Sequence, residues 1–267
     1  MPTSAKLAAA LPPSVKFSQR GAVGFVALAR AGKRNALNVE TVEGLHHCFL
    51  NLPASVKAVV LTGEGEHFSA GLDLSEMTEK DIAGGMAHSR HWHRAFADIE
   101  FGKVPVVSVL HGAVVGGGLE LACATHVRVA EASTYYALPE GSRGIFVGGG
   151  GSVRLPRLIG VARMMDMMLT ARTYNAEEGR VLGFSQYVVP NGEGLAKATA
   201  LATHIADNAP MTNYAVMQVL PRIADGDRDA GYMMESMISS IAQADPEAKA
   251  RLRAFLDKKA GKVTHKG

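Results

Sequence analysis

His111-Gly-Ala-Val-Val-Gly116-Gly117-Gly118-Leu-Glu120-Leu-Ala-Cys-Ala124 is the stretch on which the reading of this chain turns. A largely β-branched run at 104–110 precedes it and an apolar helical stretch follows the glycines. The order is therefore strand, turn without side chains, and first turn of a buried helix. A helix start leaves N–H donors unpaired, and glycine lets another backbone or a ligand come close, so an oxygen acquiring negative charge could be held there. Glu120 falls within that first turn. A second acid closes Ala137-Leu138-Pro139-Glu140, and the separation of 140 − 120 = 20 residues spans a strand expected at 127–130 and an extended piece at 134–138. The two acids can meet only through the fold. Two carboxylates beside such donors suit a reaction that needs a general base and a general acid while an enolate forms. Taken singly, the glycines fit a tight turn equally well, and Glu120 fits a paired structural acid.

Upstream, strands are expected at 14–17 and 23–29 around the turn Gln19-Arg20-Gly21. Asn38 caps a helix at 39–52, whose Val42, Leu45, Phe49 and Leu52 recur at steps of three and four. A buried strand follows at 56–62, then a polar, glycine-containing flap at 74–85 and a helix at 86–99. This alternation predicts βαβ units with right-handed crossovers and a mostly parallel sheet, an α/β fold. The glycines at 63 and 65 are no dinucleotide fingerprint, because Phe68 stands where the third would be, and those at 148–151 are no P-loop, because Ser152 and Val153 follow. His88, His91 and His93 share the 86–99 helix with no carboxylate at matching spacing, so they read as a solvated face and no metal site is expected. Trp92 and Phe96, one turn apart, read as core or pocket wall.

Downstream, Met164, Met165, Met167 and Met168 mark a packed helix at 162–171. Asn175-Ala-Glu-Glu-Gly resembles a capping-box start, and a last strand is expected at 184–189. Helices at 192–208, 211–223, 228–244 and 246–259 form a poor independent unit and read as packing on a neighbour. The expected domains are a flexible tail at 1–13, an α/β core at 14–190 and a helical region at 191–267.

The 267 residues, 47% of them hydrophobic, suffice for a full core. Apolar runs break well short of the roughly 18 residues a spanning helix needs, so no membrane partner is expected. The net charge of +3 is spread along the chain and argues against nucleic acid, while remaining compatible with an anionic ligand. Cys48 and Cys123 both fall on apolar helix faces, as buried free thiols do in a reducing compartment, so a cytoplasmic location is expected.

Taken with Phe68-Ser-Ala70-Gly71-Leu72-Asp73-Leu74, the glycine stretch closely resembles the enoyl-CoA hydratase/isomerase (crotonase) family. The resemblance implies a crotonase-like ββα spiral core with a C-terminal helical trimerisation region. It also implies a homotrimer or a dimer of trimers acting on an acyl-CoA thioester, with coenzyme A as part of the substrate and no separate cofactor. By resemblance Ala70 and Gly117 supply the oxyanion N–H groups, and Glu120 and Glu140 are the catalytic acids. Arg34, Ala36, Gly71, Leu72, Asp73, Phe255 and Lys258 border the CoA thioester. Both glutamates are retained, which favours hydration of a 2-enoyl-CoA. Double-bond isomerisation and noncatalytic acyl-CoA or protein binding are the alternatives. The second is kept open by Leu138, by Val147 with Gly148, and by Gly141-Ser142-Arg143, which depart from the family pattern around Glu140.

Overall fold

The computed structural model describes residues 3–76 and 81–257, which fall into two compact units, 1–206 and 207–267. The first unit opens with α1 (Ser4–Ala10), β1 (Val15–Arg20), β2 (Val23–Leu28), α2 (Val39–Leu50), β3 (Ala58–Gly63) and α3 (Ile82–Glu100). It continues through β4 (Val106–Leu110), β5 (Ala113–Val115), α4 (Gly117–Cys123), β6 (Val127–Glu131), β7 (Tyr135–Ala137), α5 (Gly151–Ile159) and α6 (Val161–Thr170). It closes with β8 (Tyr174–Asn175), α7 (Ala176–Leu182), β9 (Tyr187–Val189) and α8 (Gly194–Ala206). The second unit holds α9 (Pro210–Tyr214), a π turn, α10 (Leu220–Asp225), α11 (Arg228–Ala244) and α12 (Pro246–Leu256).

The main sheet runs β1-β2-β3-β4-β6-β9; β1 is antiparallel to β2 and every other pair is parallel. Its central strands are apolar runs because helices cover both faces. On one face Leu45 and Phe49 of α2 and Phe96 and Ile99 of α3 share a buried core with Val59, Leu61 and Val106. On the other, Ala198 and Ala202 of α8 pack with Val60, Val107, Val109 and Val129. This second face moves the boundary expected at residue 190: α8 is half of what keeps the sheet dry, so the first unit runs to Ala206.

A second sheet, β5-β7-β8, positions the site. β5 and β7 are parallel, with Val115 opposite Ala137, and the N–H of Gly116 donates to the Ala137 carbonyl at 2.9 Å. Two single bridges extend this pairing sideways, Ser69 with Val114 and Leu37 with Leu72. Four stretches far apart in sequence thus lie edge to edge. Cys48 and Cys123 are buried and free, as expected. Among the described residues no helix is long and apolar enough to cross a membrane.

Two local expectations are corrected. Part of the tail expected at 1–13 is a helix, because the Thr3 side chain accepts the Lys6 N–H and Leu7 is buried beside Val15 and Phe17 of β1. The flap expected at 74–85 yields its last residues to α3, which starts at Ile82 with the Asp81 carboxylate capping the Gly84 N–H at 2.7 Å; residues 77–80 lie outside the described residues.

Leu7 is 1% exposed, so Leu7→Ala leaves an unfilled site between α1 and the sheet. Urea unfolding of that variant should show a loss of about 2–4 kcal/mol. An unchanged midpoint would mean that α1 is not docked.

Candidate active site

The end of β5 and the start of α4 form one wall of a cavity of about 570 Å³ within the first unit. Glu120, Glu140, Gly117, Leu72, Trp92 and Ser89 are among the residues that line it. The two acids reach it by different routes. Glu120 is carried by α4, directly after the glycines, and is 3% exposed. Glu140 follows β7, and the register that pairs Val115 with Ala137 sets it beside Gly116. Gly116 has φ +52°, and a Cβ there would fall 2.6 Å from Glu140 Oε1, so only glycine leaves room for that carboxylate. Gly141-Ser142-Arg143 folds into a short 3₁₀ turn that leaves Glu140 in the cavity.

The carboxylates are held unequally. Glu120 Oε1 accepts two backbone N–H groups, from Gly149 at 2.8 Å and Gly151 at 2.7 Å. Glu140 Oε2 is buried and has no hydrogen-bond partner among the described residues. Burial pushes the Glu120 carboxyl upward, against the Gly151 and Gly149 N–H groups and the Arg154 charge, which favour the anion. Burial also raises Glu140, and the neighbouring Glu120 charge adds to that rise.

Ala70 does not serve as an oxyanion donor. Its N–H donates to the Arg34 carbonyl at 2.9 Å, and it is not part of the cavity wall. The N–H left free in this segment lies two residues further on. The Leu37 bridge uses the Gly71 carbonyl and the Asp73 N–H, at 2.7 and 2.9 Å, and leaves the intervening Leu72 N–H without a partner among the described residues. Leu72 N lies 3.4 Å from where a Cβ on Gly117 would be, so Leu72 and Gly117, both in the cavity wall, are neighbours there. Gly71, with φ +88°, is needed there because a Cβ would fall 2.5 Å from the Val115 carbonyl oxygen.

Other expected contacts are redistributed. The turn containing Arg34 and Ala36 contributes Asn38 and Val39 to the cavity wall in their place. The carbonyls of Arg34 and Ala36 accept the Ala70 N–H and the Arg30 guanidinium. Asp73 borders the cavity but is committed internally. Ser75 hydrogen bonds and a 2.7 Å ion pair with Arg30 hold its carboxyl down to about 2. Phe255 lies on α12 of the second unit, exposed, and Lys258 lies outside the described residues. His88 is half-buried and part of the cavity wall, which corrects the solvated-face reading for that residue, while His93 is exposed. Among the described residues no cluster of metal-ligating side chains forms.

Sequence reasoning missed the Leu72 N–H and the donors at Gly149 and Gly151. The glycine run 148–151 was the available signal, since backbone must come close to something there.

Known proteins share this sequence pattern and this fold. The sequence profile of the enoyl-CoA hydratase/isomerase family matches residues 18–266. A short-chain-enoyl-CoA hydratase of Clostridium acetobutylicum is 30% identical over 249 residues, covering 92% of this chain and 95% of that protein. The 2,3-dehydroadipyl-CoA hydratase of Escherichia coli K12 is 30% identical over 246 residues, covering 91% and 95%. Among solved structures, a Rhodopseudomonas palustris protein provisionally described as an enoyl-CoA hydratase superposes with a TM-score of 0.91 at 57% identity, covering 93% of this chain and 97% of that one.

The raised carboxyl of Glu120 has a consequence for stability. A carboxyl lifted by folding contributes stability below its unfolded value, near 4.5, and that contribution is lost as pH rises through the folded value. At neutral pH Glu120→Gln, which keeps an oxygen for the Gly149 and Gly151 N–H groups, should therefore melt higher than the parent. The gap should close as pH falls toward 4.5. Thermal melts across that range check it, and a variant less stable at pH 7 would contradict it.

Proposed function

Because the chain belongs to the enoyl-CoA hydratase/isomerase family, we propose that it is a 2-enoyl-CoA hydratase that adds water across Cα=Cβ of the thioester to give the 3-hydroxyacyl-CoA. The observation that carries this reading is the meeting of Glu120, Glu140 and the peptides of Leu72 and Gly117 on one cavity wall. The thioester oxygen sits between the Leu72 and Gly117 N–H groups, which favour the charge it gains as the enolate forms. Glu120, anchored through one oxygen by two N–H donors, is the better stabilised anion and takes a proton from the attacking water as its oxygen bonds to Cβ. Glu140, raised by burial and by the Glu120 charge, carries the proton delivered to Cα. Water thus leaves its OH on Cβ and its second proton on Glu120, while Cα takes the Glu140 proton; Glu120 then releases a proton to solvent and Glu140 takes one up, so the enzyme returns to its starting state and no electrons leave the system. Coenzyme A enters as part of the substrate, with no separate cofactor.

Isomerisation of a 3-enoyl-CoA needs only one carboxylate to move a proton, and the presence of both acids in the cavity favours hydration over it. A cytoplasmic setting is supported by the buried free thiols Cys48 and Cys123. Assembly as a homotrimer or a dimer of trimers is supported by the exposed apolar stripe Met233, Met237 and Ile241 on α11, which has the spacing of a packing face.

Purified protein should hydrate at least one member of a panel of 2-enoyl-CoA esters of increasing chain length, read as loss of enoyl-thioester absorbance. Glu120→Gln and Glu140→Gln should each lower kcat by roughly 10²- to 10⁴-fold while CoA-thioester binding survives. Turnover confined to 3-enoyl esters would establish isomerisation instead, and thioester binding without turnover of any ester would establish a binding protein.

In sedimentation, the native mass should be a multiple of three chains of 28.2 kDa. A monomer at micromolar concentration would exclude the proposed assembly.

A further inference from the structure

The peptide joining Gly148 to Gly149 is gripped on both sides. Ser89, on α3, donates its hydroxyl to the Gly148 carbonyl at 2.6 Å. The N–H of that same peptide, on Gly149, donates to Glu120 Oε1 at 2.8 Å. A trans peptide is planar, with its C=O and N–H pointing opposite ways, so fixing one direction fixes the other. The loop has no side chains of its own to hold the plane, and a Cβ added at Gly148 would meet nothing nearer than Ser89 Oγ at 3.7 Å. The next peptide is held separately: Arg154 Nη1 donates to the Gly149 carbonyl at 2.9 Å while its Nε pairs with Glu100 at 2.7 Å. His93 Nε2 is a more distant neighbour of the Ser89 hydroxyl, at 3.4 Å, so the 2.6 Å bond to Gly148 governs its direction.

From this geometry we infer that Ser89 is a positioning residue for hydration. Through the Gly148–Gly149 peptide it orients the N–H that holds Glu120 Oε1, and thereby sets where the other Glu120 oxygen meets water. The inference rests on the reading of Glu120 as the base toward water. Ser89 also borders the cavity, so a direct contact with substrate is the competing role. The two differ in what they change, since a positioning residue acts on kcat and a binding contact acts on KM.

The test uses full-length protein and crotonyl-CoA. Ser89→Ala should lower kcat roughly 10- to 50-fold, in keeping with a small misplacement of a catalytic group, and leave KM within about twofold. Ser89→Thr, which keeps the hydroxyl, should stay within about threefold of the parent. On a Glu120→Gln background, Ser89→Ala should cost no more than about twofold, because its effect passes through the carboxylate already removed. An unchanged kcat in Ser89→Ala, a loss confined to KM, equal losses in the Ala and Thr variants, or a full additional loss on the Glu120→Gln background would each overturn the inference while leaving the hydratase reading intact. Full activity in Glu120→Gln itself would overturn both.

Discussion

The site depends on the parallel pairing of two three-residue strands, β5 and β7. The Gly116 N–H bonded to the Ala137 carbonyl locks their register, and the register decides whether Glu140 arrives beside Gly116. Strand pairing tolerates no small error here, because a slip of one residue turns every side chain to the opposite face. The Ser69 and Leu37 bridges carry the same edge-to-edge alignment outward, so the Leu72 peptide is placed by that backbone ladder as well. Main-chain hydrogen bonds between remote segments, more than side-chain packing, bring Glu140, Gly116 and the Leu72 peptide together.

That arrangement keeps two carboxylates in a space that disfavours their charge. Glu120 is held by the Gly149 and Gly151 N–H groups, with Arg154 nearby, whereas Glu140 has an oxygen with no partner among the described residues. Burial costs free energy in both cases; the N–H groups of two glycines offset it for Glu120, while Glu140 has its own backbone N–H and the added opposition of the Glu120 charge. The asymmetry gives two chemically identical groups different surroundings, one carboxylate anchored by glycine N–H groups and the other with an oxygen left without a partner among the described residues. Asp73, nearby, goes the other way: its Ser75 and Arg30 partners keep it ionised and fully occupied in holding the turn.

Much of the fold was legible because its signals are local. The Asn38 cap, the Asn175 capping box and the apolar strands at the sheet centre follow from short-range rules and appear where those rules put them. The motif likeness likewise brought out Glu120, Glu140 and Gly117, all of which line the cavity. Other features were illegible because they depend on contacts across the fold. The α1 helix is short and stands against the sheet through Leu7, and α8 belongs to the first unit because the sheet has a second face to bury. Within Ser69-Ala70-Gly71-Leu72 every residue carries the same kind of N–H. Which one is left over depends on the acceptors that meet them: the Ala113 carbonyl takes the Ser69 N–H, the Arg34 carbonyl takes that of Ala70 and the Ser69 hydroxyl takes that of Gly71, which leaves Leu72.

By itself the sequence determined the alternation of strands and helices, the glycine turns and the presence of two acids, since these rest on residue type and spacing along the chain. The tertiary structure alone decided which N–H groups remain free, how each carboxylate is held and which hydroxyl steadies the Gly148–Gly149 peptide. The reason is physical: a hydrogen bond joins groups by distance and direction in space, and neither is encoded in the order of residues until the ladder between remote segments has formed.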